Sequence, residues 1–416
     1  MTEPTTSSTT STGSTTSTGT TTSTGTNLES LLATREIVVF CGSGGVGKTT
    51  TAAASALGAT LRLGGKVLVL TIDPARRLAS ALGLEGLGNV ERRVPPDVLR
   101  AAGLEPRGEL YAAMLDTKAG WDDLVLRHAP DEETAYRILE NRMYTNVTGR
   151  FVQSHDYIAM ERLFDLHASG TYDLIIIDTP PTRNAIDFVD APARMADFFG
   201  GKLLRWITMP YRVGGKRGAR LVNFASKPFY TMADRILGSQ FLQDIAEFFL
   251  LFQTMYDGFV ERAKAVERLL HDRRTAFVVV TTLEGAPLRE SEFFCDALVD
   301  RQFHLAALVL NKALPDELRG PDGWRAAELL LADAEPVAQK LVDRGVDGIT
   351  DFESTARVLR TIGETFRSYA IVATREHELR DELARIPETV AVVPALEDDV
   401  HDIGGLAAMG EYLLGA

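Results

Sequence analysis

The chain has 416 residues and is 45% hydrophobic, enough for a large core and, on length alone, for two or three domains. A formal net charge of -13 argues against a general nucleic-acid binder. Only two cysteines occur, Cys41 and Cys295, and neither belongs to a C-x-x-C pair; this argues against a disulfide scaffold or a cysteine zinc site within one chain and fits a reducing cytoplasm.

Residues 1–27 are nearly all Thr, Ser and Gly and lack the apolar core of a signal peptide. Residues 1–30 are read as a disordered tail ahead of an ATPase domain over 31–416. No run of about 18 apolar residues occurs, so no transmembrane helix is expected. Residues 28–35 are expected to lead into the first strand. Ile37-Val38-Val39-Phe40 is a β-branched and aromatic run that reads as a buried strand. Then comes Gly42-Ser43-Gly44-Gly45-Val46-Gly47-Lys48-Thr49, which fits the phosphate-binding pattern G-x4-G-K-[ST]. Thr50 to Leu57 reads as helix, so the pattern has the strand, loop and helix it needs. Glycines let several N–H groups turn onto one anion, and the helix behind adds its positive end. Lys48 supplies a point charge for the β- and γ-phosphates, and the Thr49 hydroxyl can ligate Mg2+. Gly42 to Thr49, with Thr50, are the candidate residues for ATP.

Lys66 to Asp73 reads as a second buried strand with an acid at its end. Strand, helix and strand at this spacing form a right-handed βαβ unit of a parallel sheet, whose ligands sit outside the strands' carboxyl ends. Leu110 to Asp116 looks like another strand, and residues 118–168 read as a helical insertion. Leu174-Ile175-Ile176-Ile177-Asp178 places a second acid at a strand end, where a P-loop ATPase holds Mg2+ directly or through water. Thr179-Pro180-Pro181-Thr182 follows as a rigid loop suited to sensing a γ-phosphate.

Residues 190–275 break the α/β rhythm and read as a second helical insertion. Within 201–240 stand eight basic residues (Lys202, Arg205, Arg212, Lys216, Arg217, Arg220, Lys227, Arg235) against one acid, Asp234. Phe241, Ile245, Phe248, Phe252, Met255, Phe259 and Ala263 then fall at helical spacing. This stripe has two readings: a core-facing stripe, or an apolar, basic-rimmed surface for a client or membrane partner. Ala276 to Thr281 and Ala306 to Lys312 restore the strands, with Asn311 placed to bond an adenine edge or to cap a turn. Residues 322–345 and 351–386 read as helical, Val390 to Val393 as the last strand ending in Pro394, and 402–414 as a closing helix. The expected fold is therefore one α/β P-loop NTPase domain, a mainly parallel sheet flanked by helices, with helical insertions.

Together these residues resemble the arsenical-pump ATPase family, which includes the cytosolic ATPases that target tail-anchored membrane proteins. The resemblance covers most of residues 34–415. Asp73-Pro74-Ala75 resembles the family's first switch, whose acid positions the attacking water. Asp178-Thr179-Pro180-Pro181-Thr182 resembles its second switch, D-T-A-P-T-G-H. Asn311 and the Val393-Pro394 turn sit where the family contacts adenine. The resemblance implies ATP and Mg2+ as cofactors, Asp73 and Lys48 as catalytic residues, and Thr49 and Asp178 at the metal. It also implies two ATPase units, in a homodimer or a heterodimer with a paralogue, closing face to face on ATP. A helical insertion, here 190–275, then forms or moves a surface for a hydrophobic client or membrane protein. The departures are equally plain. Ser43 stands where the family usually has a lysine that crosses to the partner's phosphates, and Arg183-Asn184 where it has Gly-His. Arg76, Arg77, Arg183 or a paralogue's lysine would have to substitute. The arsenite-binding and zinc-binding cysteines have no counterpart.

The leading expectation is a cytosolic Mg-dependent ATPase, in the cytoplasm with peripheral membrane association left open, that couples hydrolysis to dimer closure and to a hydrophobic or membrane partner. The alternatives are the energising subunit of an anion efflux system and a low-turnover, nucleotide-controlled scaffold.

Overall fold

A computed structural model describes residues 27–72, 77–144, 152–179, 190–191, 194, 247–248, 250–252, 254–349, 351–383, 387 and 389–415. The first element is helix α1 (Leu28–Thr34), where a lead-in to the strand was expected. Its cap is Asn27, whose side-chain oxygen accepts from the Ser30 backbone N–H at 2.8 Å. Leu28, Leu31 and Leu32 lie on one face at helical spacing and are buried. Residues 28–30 thus belong to this helix and not to the tail.

Strand β1 (Ile37–Cys41), helix α2 (Lys48–Arg62), strand β2 (Gly65–Thr71), helix α3 (Arg77–Ala81), strand β3 (Arg92–Arg93), helix α4 (Pro96–Ala101) and strand β4 (Gly108–Met114) follow. Helices α5 (Thr117–His128), α6 (Glu132–Leu139) and α7 (Val152–Ala168) lead to β5 (Leu174–Asp178). Helix α8 (Tyr256–His271), β6 (Thr275–Thr281), α9 (Gly285–Asp300) and β7 (Leu305–Ala313) resume the alternation. After a short 3-10 turn come α10 (Pro321–Ala332), α11 (Ala334–Asp343), α12 (Phe352–Leu383), β8 (Thr389–Pro394) and α13 (Ile403–Leu414). The helical stretch at 322–345 divides at Asp333 because Pro336 cannot donate to residue 332 and its ring crowds that carbonyl.

The strands form one eight-stranded sheet in the order β3-β4-β2-β5-β1-β6-β7-β8. All described pairings are parallel except the short antiparallel contact of β3 with β4. The α/β class expected from the sequence is therefore the one found. Helices cover both faces. Along β1, Val38 and Phe40 pack toward α2, whereas Ile37, Val39 and Cys41 pack on the other face with Trp121, Tyr157 and Phe277. Helix α2 is rich in buried alanines, so it lies close to the sheet. Helix α13 lies close to α2 in turn: a Cβ on Gly58 would stand 2.4 Å from Leu414 Cδ1. Arg62 at the end of α2 ties the termini, donating to Glu29, to Glu411 and to the Gly415 carbonyl.

The structure decides between the two readings of the aromatic stripe. Phe248, Phe252, Met255, Phe259 and Ala263 are all buried. Phe252 stacks on Phe259 at 5.2 Å and meets Trp121 of α5 at 6.1 Å, while Tyr157 of α7 meets Phe259 at 5.8 Å. These five side chains are core, and the expectation that they offer a partner surface is corrected. The reason is coverage: α5 and α7 lie over the stripe and remove it from water. A half-buried ionic group backs the same junction, with Arg262 of α8 donating to Glu161 at 2.6 Å and Asp165 at 2.7 Å of α7. Phe241, Ile245 and the basic stretch 201–240 lie outside the described residues.

Replacing Phe252 with Ala should lower stability by about 3–5 kcal/mol, the range for deleting a packed aromatic ring. Urea unfolding reads this directly, and a midpoint matching wild type would return Phe252 to the surface.

Candidate active site

The pleat determines what reaches the edge of the α2-facing layer. On that face pack Val67 and Val69 of β2, Leu174 and Ile176 of β5, Val38 and Phe40 of β1, Val278 and Val280 of β6, and Val309 of β7. Two residues further along, the same face receives Thr71, Asp178, Gly42, Thr282 and Asn311. Five adjacent strands thus end in a row of polar groups or glycine at the carboxyl edge, where open α/β sheets take their ligands.

Asp178 is fully buried and accepts two hydroxyls on one oxygen: Thr49 Oγ1 at 2.6 Å and Thr71 Oγ1 at 2.8 Å. Thr49 is the second residue of α2, so strand and helix meet at this carboxylate. Thr179, the next residue, turns its hydroxyl back to the Phe40 carbonyl at 2.8 Å and ties the end of β5 to β1.

The loop between β1 and α2 needs its glycines. A Cβ on Gly42 would stand 2.1 Å from the Val280 carbonyl oxygen. Gly47 caps α2 in the left-handed region, with φ 93°, and a Cβ there would meet Asn311 Nδ2 at 2.2 Å. Lys48 is buried and its ammonium donates to the Ser43 carbonyl at 2.7 Å, across the mouth of the loop.

Asn311 is buried too, and its amide nitrogen donates to the Val46 carbonyl at 2.8 Å. A carbonyl can only accept, so this bond orients the amide: Nδ2 holds the loop, and Oδ1 is the acceptor turned elsewhere. The side chain read as a base contact is in the first instance a brace for the phosphate loop.

A cleft of about 950 Å³ runs from the loop to the ends of β7 and β8. It is lined by Gly45, Gly47, Lys48, Thr49 and Thr50, and also by Asn311 and Pro394, so the structure brings together both groups of candidates. Gly42, Ser43 and Val46 are buried within the loop, and Gly44 is exposed. Asp73 and residues 180–184 lie outside the described residues; β2 itself ends at Thr71. Sequence reasoning missed Thr71, whose hydroxyl binds Asp178, and the further lining residues Ser80, Lys312, Asp398, Asp399 and His401; Arg77, named as a possible substitute for the loop lysine, lines the cleft as well. Thr71 was legible in principle, being the next position on the alternation of Val67 and Val69.

A hydroxyl and a carboxylate at one place form an all-oxygen donor pair, which suits a hard divalent cation such as Mg2+. Among the described residues no group of three His, Cys, Asp or Glu side chains forms a metal cage. Burial pushes the Cys41 thiol up to about 12, against the opposing pull of the Thr179 hydrogen bond and Lys48. Cys41 therefore stays protonated beside the loop and is no nucleophile.

The model of the anion-transporting ATPase family matches residues 35–328, well over half of the chain. This chain belongs to that family. It is an ATP hydrolase of the P-loop class. ATPase BagA of Mycobacterium tuberculosis is 23% identical over 385 residues, covering 89% of this chain and 90% of the relative. ATPase GET3 of Eremothecium gossypii is 24% identical over 305 residues, 69% of this chain and 75% of its own. The ATPase ASNA1 homolog of Entamoeba dispar is 23% identical over 295 residues, 70% and 80% respectively.

Lys48→Ala should weaken ATP binding by roughly 10- to 100-fold, the equivalent of about 1.5–3 kcal/mol for a hydrogen bond to a charged group. Calorimetry measures it, and an unchanged affinity would remove Lys48 from the nucleotide site.

Proposed function

We propose that this ATPase requires Mg2+, works as a pair of chains that close face to face on ATP, and couples closure to the handling of a hydrophobic or membrane partner. The observation that carries the reading is the junction of Thr49 with Asp178 at 2.6 Å, opened by a loop whose only cation, Lys48, lies across its mouth. In this scheme the loop N–H groups and the N-terminus of α2 hold the phosphates. Lys48 leaves the Ser43 carbonyl for a β,γ-phosphate oxygen, exchanging a neutral acceptor for an anionic one. Thr49 and Asp178 would hold Mg2+, which would supply charge neutralisation for the leaving and transferred phosphates. Asp73 orients the attacking water and accepts its proton.

Asn311 and Pro394 bound the base end of the cleft. With Nδ2 of Asn311 committed to the loop, its Oδ1 can accept from an exocyclic amino group, which favours adenine over a base bearing a carbonyl there. Partner handling is assigned to residues 190–246, where the excess of basic residues lies; the buried ring stripe at 248–263 takes no part in it. No helix among the described residues is long and apolar enough to cross a membrane.

One observation favours a second reading, a slow nucleotide-controlled scaffold: Ser43 stands at the second position of the loop, which therefore carries no cation besides Lys48. Turnover of the pure chain at saturating ATP separates the two.

Asp73→Asn should keep ATP affinity, slow hydrolysis by on the order of 100-fold or more, and accumulate as a dimer with ATP. Steady-state phosphate release and light scattering after gel filtration check this. Normal turnover would take Asp73 out of the mechanism, and a monomer at every ATP concentration would take closure out of the function.

A further inference from the structure

Near its end, β7 carries one residue more than β8 can match. Leu310 lies opposite Val392 and Ala313 opposite Pro394, so Asn311 and Lys312 together face Val393. This is a β-bulge, a rare feature between parallel strands. Lys312 takes up the extra length in the left-handed region, with φ 59°.

The bulge changes which side chains reach the cleft. Leu308 and Leu310 pack in the layer of Trp121 and Phe277, and strict alternation would send residue 312 into that layer too. Ala313 packs there instead, and Lys312 is left exposed. Asn311 and Lys312, which an unbroken strand would turn to opposite faces, both line the cleft, beside Pro394. The chain is pinned directly beyond them. The Ala395 N–H donates to the Ala313 carbonyl at 2.9 Å, and the Leu314 N–H donates to Glu376 of α12 at 2.9 Å.

Exposure alone accounts for an unpaired lysine, but not for this backbone. A left-handed φ strains any residue with a Cβ and costs glycine nothing, yet lysine stands here. Strain of this kind concentrates at ligand sites, where a bulge re-aims a side chain. Lys312 has no hydrogen bond or ion pair among the described residues, although Asp398 and Asp399 line the same cleft.

We infer that Lys312 is a specificity-determining residue for the base of ATP. Its ammonium donates to a ring nitrogen of adenine beside the amino group that Asn311 Oδ1 accepts. The amino group of adenine donates, and the ring nitrogens on either side of it, N1 and N7, only accept. An amide oxygen and an ammonium on consecutive residues are the matching acceptor and donor. A base with a carbonyl at that place would set oxygen against Oδ1. The inference rests on the ATPase reading above and adds to its base end a second group, re-aimed by the bulge.

The test is calorimetric titration of the full chain, in Mg2+, with ATP, 1-deaza-ATP and 7-deaza-ATP. The proteins are wild type and Lys312→Met, which keeps a long unbranched stem and removes the donor. Lys312→Met should weaken ATP by about tenfold or more, as expected for a hydrogen bond from a charged group. Wild type should lose a similar factor on one of the two deaza analogues, and the variant should lose nothing further on that analogue. ATP affinity unchanged by the substitution would overturn the inference. So would losses that add for both analogues, since the ammonium would then act on the ribose or the phosphates. Wild type that binds both analogues as tightly as ATP would overturn it as well. Wild type that does not bind ATP would instead overturn the ATP site itself. Circular dichroism melting of the variant excludes loss of fold as the cause of weakened binding.

Discussion

A pleated strand shows one residue in two to each layer, and that rule decides where this protein can carry chemistry. Five neighbouring strands share the phase that packs Val, Ile, Leu and Phe side chains on the α2 face of the sheet. Each of them therefore ends with its next residue on the same side, and those residues are Thr71, Asp178, Gly42, Thr282 and Asn311. A shift of one residue in any strand would bury its polar end in the opposite core and expose its apolar set to the cleft. The hydrophobic packing of the sheet and the placement of the site are thus a single constraint. The close approach of α2, permitted by its alanines, completes it by bringing Thr49 to Asp178.

Much of this was legible in the sequence because parallel strands covered on both faces are continuous apolar runs. Ile37–Cys41, Leu174–Asp178 and Thr275–Thr281 are buried at every position and could be read as strands without any alternation. The loop and its helix were legible because glycine, lysine and threonine each have a separate physical duty there. Strand β3 was not, since Arg92-Arg93 has neither length nor apolar pattern. Helix α1 was hidden by its neighbour, a tract of Thr, Ser and Gly that drew the boundary past the Asn27 cap. The ring stripe at 248–263 shows a different limit: periodicity tells which face of a helix is apolar but not what covers it, and here Trp121 and Tyr157 do.

The candidate site was legible residue by residue but not as a set of bonds. Asn311 was readable as a polar residue at the end of a late strand, yet its hydrogen bond to Val46 belongs to a pair 265 positions apart in the chain. Thr282 carried no motif at all; its place one residue beyond β6, the neighbour of β1, is a fact of strand order. Ser43 looked like a loss when read as the absence of a lysine. In the fold its side chain is buried, and its backbone carbonyl is what holds the Lys48 ammonium.

The account stands on one junction, the meeting of Thr49 and Asp178 beneath the phosphate loop. Its most direct test is phosphate release from ATP by the pure chain, measured with Mg2+ and with the ion chelated, for wild type and for Thr49→Ala. Hydrolysis that requires Mg2+ and is lost in the variant is the predicted result. Equal hydrolysis by both proteins, or hydrolysis unaffected by removing the ion, would contradict it.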